Sequence, residues 1–464
     1  MSAHPDHGPD GPSAAVTRIL DDSERPFPAI AQSLPLVFAA RGAGSASALK
    51  AVARARSAEI REHMHRHGAV LLRGFPVESP QDFEQAMAEL PFLRPMNRYF
   101  MSEPGRQLVP GTRHVFNTNS VARTGGGFVF GVFHAENYHS PDVPTYVSFC
   151  ARKRSWLGSE TCLVNMADVY AELPAALRHK LEAQPCAASI WPLSAIADRY
   201  GLEPDEAARR CSAAGLIVVA DEGKRYVILT KPSVYRHPQT GRLSLQVNLF
   251  TTLPTFKGAA LRQFLRHYTG PAWSLHRLVW RSRIDNPLFA LGAATRLVVQ
   301  PVEARKFLRE VLPELDRRTV GKRAFAAALI ENVRAFLRND GLHAVLARKG
   351  MPTLADLVSR DDIEALAAAI EKHASMFFWQ KGDILIFDNQ QLLHAGMPGF
   401  GPRELLAMFF NPLPLDRPAH SGIAELRDGD RDTPVEFMPV VEQVARSGPD
   451  SAWTERPGRA PHPR

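Results

Sequence analysis

Three residues spread over more than half of a 464-residue chain limit the folds open to it. His134-Ala135-Glu136 sets a histidine and a carboxylate two residues apart, and a lone histidine, His394, follows far downstream in Asp388-Asn389-Gln390-Gln391-Leu392-Leu393-His394-Ala395-Gly396. On an extended segment residues i and i+2 face the same way, so His134 and Glu136 can address one metal while Ala135 points away. A fold that uses all three must bring the end of the chain back onto its first third. Two imidazoles and one carboxylate on one side of a metal leave its other positions open, which is the ligand set of a non-haem Fe(II) oxygenase. Arg403 lies nine residues beyond His394 and adds a cation able to grip a dicarboxylate by paired hydrogen bonds. With 17 histidines in the chain, the spacing needs support from the residues around it.

Composition removes several other classes. Hydrophobic residues at 45% and charged residues at 22% are the balance of a globular protein large enough to bury a core. The formal charge is +8, but the basic residues are scattered over Arg209-Arg210, Arg277 to Arg283 and Arg305 to Arg323, with no aromatic stripe and no nucleic-acid motif. They read as solvated helix faces, and a basic surface of this kind can also steer an acidic partner. Cys150, Cys162, Cys186 and Cys211 have no metal-ribbon spacing, so a reduced cytoplasmic protein without disulfides is expected. Residues 1–12 lack the apolar run of a signal peptide, and no stretch approaches the roughly 20 apolar residues of a membrane helix.

Along the chain, residues 1–28 are rich in Pro, Gly and Asp and read as a disordered tail, as do 445–464. Residues 46–66 have helical spacing and lead into a strand over His67 to Phe75; Ser79 caps a second helix running to Leu90. Extended runs follow at Phe128 to Phe133 and Tyr146 to Phe149, helices at 174–187 and 203–215, and strands at Tyr226 to Leu229 and Leu243 to Leu249 around the turn His237-Pro238-Gln239-Thr240-Gly241. From 256 to about 362 strand signals vanish and Ala, Leu and Arg dominate, so this stretch reads as a helical insert, a lid or a partner-docking element, between the two parts, 29–255 and 363–444, of one domain. Strand character then returns at Asp383 to Phe387 and Leu405 to Phe410.

Together Gly68 to Gly74, Gly158-Ser159-Glu160-Thr161, His237 to Gly241, Trp379-Gln380-Lys381-Gly382-Asp383 and His394 to Arg403 resemble the taurine catabolism dioxygenase (TauD-like) family, and within it the SyrP-like natural-product hydroxylases. The resemblance covers roughly 60–255 and 363–412. It implies an α+β fold with a double-stranded β-helix, or jelly-roll, core and flanking helices. It implies Fe(II) as cofactor, with 2-oxoglutarate and O₂ as cosubstrates. His134, Glu136 and His394 match the iron ligands, Thr161 the threonine that meets one end of 2-oxoglutarate, and Arg403 the arginine that pairs with its distal carboxylate. Two positions depart from the pattern. Glu404 replaces the second residue of an arginine pair, leaving Arg403 to carry the cosubstrate contact alone; Ala407 stands where taurine-type enzymes hold a sulfonate with a further arginine.

In this family oxidative decarboxylation of 2-oxoglutarate to succinate and CO₂ is coupled to oxidation of a C–H bond. A carboxylate ligand at Glu136 argues against halogenation, which needs a small residue there. Hydroxylation is the expected outcome, with desaturation or cyclisation open to the same ligands. The resemblance points to an amino acid or amino-acid-derived small molecule as substrate, free or tethered to a carrier protein, with Asn248 and His139 as candidate substrate contacts. His114 also lies near the ligands in sequence but matches no ligand position. Asp388 and Asn389 read as turn-stabilising residues. Two other classes use the same residues: a non-catalytic jelly-roll binding protein, and a Zn²⁺ hydrolase or isomerase, in which Arg403 and Thr161 would have no clear task.

Overall fold

A computed structural model describes residues 14–42, 44–96, 108–118, 133–141, 143–247, 249, 254–274, 277, 341–397, 399–400, 403–413 and 423–425. Two sheets face each other. The larger has seven strands in the order β1 (Ala15–Arg18), β2 (Leu36–Ala40), β3 (Ala69–Arg73), β14 (Ile384–Asp388), β5 (Val143–Lys153), β17 (Glu404–Leu413) and β4 (Phe116–Asn117). The smaller has the order β13 (Ala374–Phe377), β7 (Thr161–Asn165) and β15 (Leu392–Gly396). In each, strands from the end of the chain lie beside strands from its first half, as a group split between 134–136 and 394 requires.

Side chains alternate between the two faces of each strand, and the apolar clusters follow that alternation. Phe149, Leu385, Phe387, Leu71 and Phe409 of the large sheet meet Leu163, Phe377 and Leu392 of the small one in the space between them. The other face of the large sheet, with Val70, Leu72, Ile384, Ile386 and Met408, packs on α1 (Ala46–Ala55), α2 (Ser57–His67) and α3 (Pro80–Ala88). The outer face of the small sheet, with Cys162, Val164, Leu393 and Ala395, covers a second helical layer that includes α4 (Met166–Glu172), α5 (Ala175–Ala183), α6 (Leu193–Tyr200), α7 (Pro204–Ala213), α8 (Pro254–Phe264) and the helix Arg360–Lys372. A separate three-stranded sheet, β8 (Cys186–Pro192), β10 (Lys224–Lys231) and β9 (Ile217–Asp221), joins that layer. Short pairings complete the fold: β6 (Leu157–Gly158) with β16 (Gly399–Phe400), and β11 (Val234–Arg236) between β12 (Leu243–Leu245) and β18 (Ile423–Glu425).

Several sequence expectations change here. The tail assigned to 1–28 is ordered from residue 14 onward: β1 pairs antiparallel with β2, and Glu24 is buried against Arg73. Composition alone hides this, because the order comes from partners distant in sequence. The helix expected over 46–66 breaks at Arg56, whose guanidinium reaches the Ala15 carbonyl (3.1 Å), Thr17 and Glu59. The helix begun by Ser79 forms with that serine as N-cap and Asp82 closing a capping box. The boundary at 256 cuts through α8, whose Phe256, Ala260 and Phe264 are fully buried in the helical layer, so the start of the expected insert is core. The run Phe128 to Val132 and most of the stretch 256–362 lie outside the described residues. All four cysteines are buried free thiols, and no described helix is long and apolar enough to cross a membrane.

Candidate metal centre

His134 and His394 meet as a single antiparallel bridge at the edge of the small sheet, each backbone N–H donating to the other's carbonyl at 3.1 Å. Their rings lie 4.3 Å apart, centroid to centroid. From the bridge the chain turns sharply, with Asn137 at φ +54°, so His134 and Glu136 share one short bend rather than the regular strand that their spacing suggests. The Glu136 carboxylate Oε2 lies 3.5 Å from His394 Nε2 and 4.0 Å from His134 Nε2. Two atoms that both bind an ion at about 2.1 Å can be at most about 4.2 Å apart, so both separations are compatible with one shared ion. All three donor atoms fall within 4.8 Å of one another, and among the described residues this is the one group of its kind.

The surroundings hold these side chains in place. His394 occupies the inward face of β15, with the Phe149 and Phe387 rings 5.3 and 5.1 Å away. Behind His134, Phe133 stacks on Phe264 of α8 at 5.8 Å. Asn389 fastens the backbone of Glu136 from both sides: its Oδ1 accepts from the Glu136 N–H at 2.7 Å, and its Nδ2 donates to the Glu136 carbonyl at 3.1 Å and to that of Pro144 at 2.9 Å. Asn389 thus acts on the ligand loop as well as on its own turn. Asp388 accepts from the Gln390 amide and from Gln391, and holds His237 at 2.9 Å. The His237 Nδ1 accepts from the amides of Gln239 and Thr240 (3.3 and 3.2 Å), so the ring proton sits on Nε2 and is donated to Asp388. The His-Pro turn is therefore a buried brace under the segment carrying Asn389.

A second group lies at the start of β7. Gly158 and Ser159 take left-handed conformations (φ +69° and +61°), and the chain then enters the strand at Thr161. The Thr161 hydroxyl accepts from Trp379 Nε1 at 2.9 Å and from Arg403 Nη2 at 3.1 Å. Both of its lone pairs are engaged, which leaves its proton to be donated. Arg403 passes close over Gly396, where a Cβ would lie 3.1 Å from Nη1, and its buried Nε has no hydrogen-bond partner. Burial pulls the Arg403 guanidinium down to about 10, against the attraction of Glu160. A hydroxyl proton and an unsatisfied guanidinium edge together suit an incoming carboxylate. Arg403 makes no ion pair with Glu404, which is exposed, or with Asp388, which faces His237. Ala407 is buried on the inward face of β17 and brings no charge there.

Glu160 escaped the sequence reading. It is 1% exposed, both carboxylate oxygens lack hydrogen-bond partners, and burial pushes it up to about 7 against the pull of Arg403. Of the two candidate substrate contacts, Asn248 lies outside the described residues. His139 donates its Nδ1 proton to the Ala188 carbonyl at 2.8 Å and is not part of the three-residue group. The backbone amide of His114 donates to Glu84 at 2.7 Å, and His114 is not part of the three-residue group.

Two imidazoles and a carboxylate that could share one ion, in the same fold as a hydroxyl–guanidinium pair suited to a carboxylate, are the side-chain set expected of mononuclear metal oxygenases that take an oxoacid cosubstrate. The family model of the taurine catabolism dioxygenase TauD, TfdA family matches residues 31–281 and 305–409, most of the chain. The protein belongs to that family and is an Fe(II)- and 2-oxoglutarate-dependent dioxygenase. Within the helical stretch the match leaves only 282–304 uncovered. No curated protein sequence matches the chain. Among solved structures it is similar to a taurine dioxygenase from Burkholderia xenovorans (14% identity, 93% of this chain and 98% of that one, TM-score 0.40). It is also similar to the PvcB protein from Pseudomonas aeruginosa (11% identity, 88% and 94%, TM-score 0.39).

Proposed function

We propose that His134, Glu136 and His394 ligate the iron, that Thr161 and Arg403 hold the far carboxylate of 2-oxoglutarate, and that the enzyme hydroxylates an amino acid or an amino-acid-derived intermediate of natural-product biosynthesis. The opposed sheets are read as the two walls of a jelly roll with the iron at one mouth. The observation that carries the proposal is the Thr161–Arg403 pair within the same fold as the three converging ligand atoms. When bound, the iron and 2-oxoglutarate supply the oxidant for a C–H bond. The protein's own share is orientation and exclusion of water. Asn389 holds the Glu136 backbone, Phe149 and Phe387 keep the space around His394 apolar, and Thr161 donates its hydroxyl proton to the cosubstrate. Glu136 fills the ligand position that a halide would need, which favours hydroxylation. Ala407 offers no cation for a sulfonate. The amino-acid substrate class is supported by the likeness of the His237 to Gly241 and Trp379 to Asp383 motifs to SyrP-like enzymes; the charge of +8 is compatible with an acidic carrier that presents the substrate in the cytoplasm.

The test is succinate release by anaerobically purified, Fe(II)-loaded protein exposed to O₂ with free and carrier-bound amino acids. Succinate that requires iron and rises with one panel member, accompanied by a product heavier by one oxygen, is the expected result. Stimulation by a sulfonate alone, or a product lacking the added oxygen, would overturn the substrate or the outcome respectively.

A further inference from the structure

Lys231 closes β10 and is 1% exposed, an expensive place for an ammonium group. Its Nζ donates to the carbonyls of Tyr138 (2.5 Å) and Ser140 (2.8 Å) and lies 5.0 Å from the centre of the Tyr138 ring. Those carbonyls belong to the bend that begins at Glu136, a bend closed internally by Tyr138 N–H to the Ala135 carbonyl (3.2 Å) and Ser140 N–H to the Asn137 carbonyl (2.8 Å). The same bend is gripped by β8: His139 Nδ1 donates to the Ala188 carbonyl, and Ser189 Oγ shares its proton between the His139 carbonyl at 2.9 Å and the Ala188 carbonyl at 2.8 Å. One end of the ligand loop is therefore fixed by Asn389 and the other by the β8–β10 sheet, which contributes no metal ligand of its own. Charge-assisted bonds from one ammonium to two carbonyls set their separation, which a neutral or apolar side chain would not do.

We propose that Lys231 is a positioning residue for the iron site: it holds the Tyr138 and Ser140 carbonyls and so sets the Glu136 carboxylate toward His134 and His394. This rests on the reading of Glu136 as a ligand. Partners that orient metal ligands typically alter metal affinity by 10–100-fold when removed.

The experiment is calorimetric titration of the metal-free full-length protein with Mn(II) and Co(II), alongside its melting temperature and the visible spectrum of the Co(II) form. Lys231→Met keeps the stem and removes the donors. It is expected to weaken metal binding at least about tenfold and to change the Co(II) spectrum. Val227→Ala, in the same strand and buried in the helical layer, is expected to lower the melting temperature while leaving metal affinity within about twofold, since its side chain carries no donor for the loop carbonyls. Lys231→Met with a lowered melting temperature but unchanged affinity and spectrum would reduce Lys231 to a structural role and overturn the proposal. If Lys231→Met does not fold, Ser189→Ala decides, because it removes one hydrogen bond to the same loop; weaker metal binding supports the proposal and unchanged binding overturns it. Glu136→Ala separates the two levels of the argument. Metal binding that survives it defeats the ligand assignment, whereas loss there with no effect at Lys231 or Ser189 defeats only the positioning role.

Discussion

Glu160 is a carboxyl group that water does not reach, set beside a guanidinium that burial also disfavours. Its folded-state value of about 7 lies above its ordinary one of 4.5, so the folded protein keeps this proton longer than the unfolded chain does. The sign follows: Glu160 costs nothing below the unfolded value, and its penalty grows as pH rises from about 4.5 to about 7, reaching on the order of 3 kcal/mol. Glu160→Gln should therefore melt close to wild type at pH 4.5 and gain on it steadily up to pH 8; parallel curves would show that Glu160 is solvated. At Gly396 the constraint is distance. Gly396→Ala should push Arg403 by a few tenths of an ångström and raise the KM for 2-oxoglutarate by up to about tenfold, with little change in melting temperature. An unaltered KM would remove Arg403 from the cosubstrate. The meeting of His134, Glu136 and His394 was legible from residue type and spacing, and that of Thr161 with Arg403 only through the family motifs that contain them. Glu160, Lys231 and the tautomer of His237 were not, because burial and backbone partners from distant segments define them.

At the level of elements, the motif residues around the site turn out to bind secondary structure together. Arg73, the last residue of β3, donates to both Asp383 oxygens (3.0 and 2.6 Å), to Glu24 (2.7 Å) and to the Phe378 carbonyl (2.7 Å). It links β3, the approach to β14 and the N-terminal segment. Gly382 is required beside it: φ is +89°, and a Cβ would lie 2.6 Å from the Phe75 carbonyl oxygen. Arg73→Met leaves the buried Asp383 without its guanidinium, while Glu24 keeps Arg18, and should cost about 3–5 kcal/mol in denaturant unfolding; a loss within about 0.5 kcal/mol, as at ordinary surface sites, would mean the network is solvated. Strand and helix identities such as those of β3, α3 and α7 were readable from period and caps. The break at Arg56 and the order of β1 were not, since each depends on a contact between segments far apart in the chain.

For the whole molecule, the large sheet, the small sheet and the helical layers act as a frame that brings three candidate ligand atoms from distant segments of the chain to one point. The α+β class and the late return to strands were visible in the sequence. The role of α8 as core behind His134 was hidden by an apolar helical composition that a lid and a core helix share. We read this point as an iron site with an adjoining 2-oxoglutarate seat. Anaerobic calorimetry tests it most directly. Wild type should bind one Fe(II) per chain and take up 2-oxoglutarate tightly only once the iron is present; His394→Ala should lose both, and Arg403→Ala only the second. A His394→Ala protein that titrates with Fe(II) and 2-oxoglutarate like wild type would contradict the account.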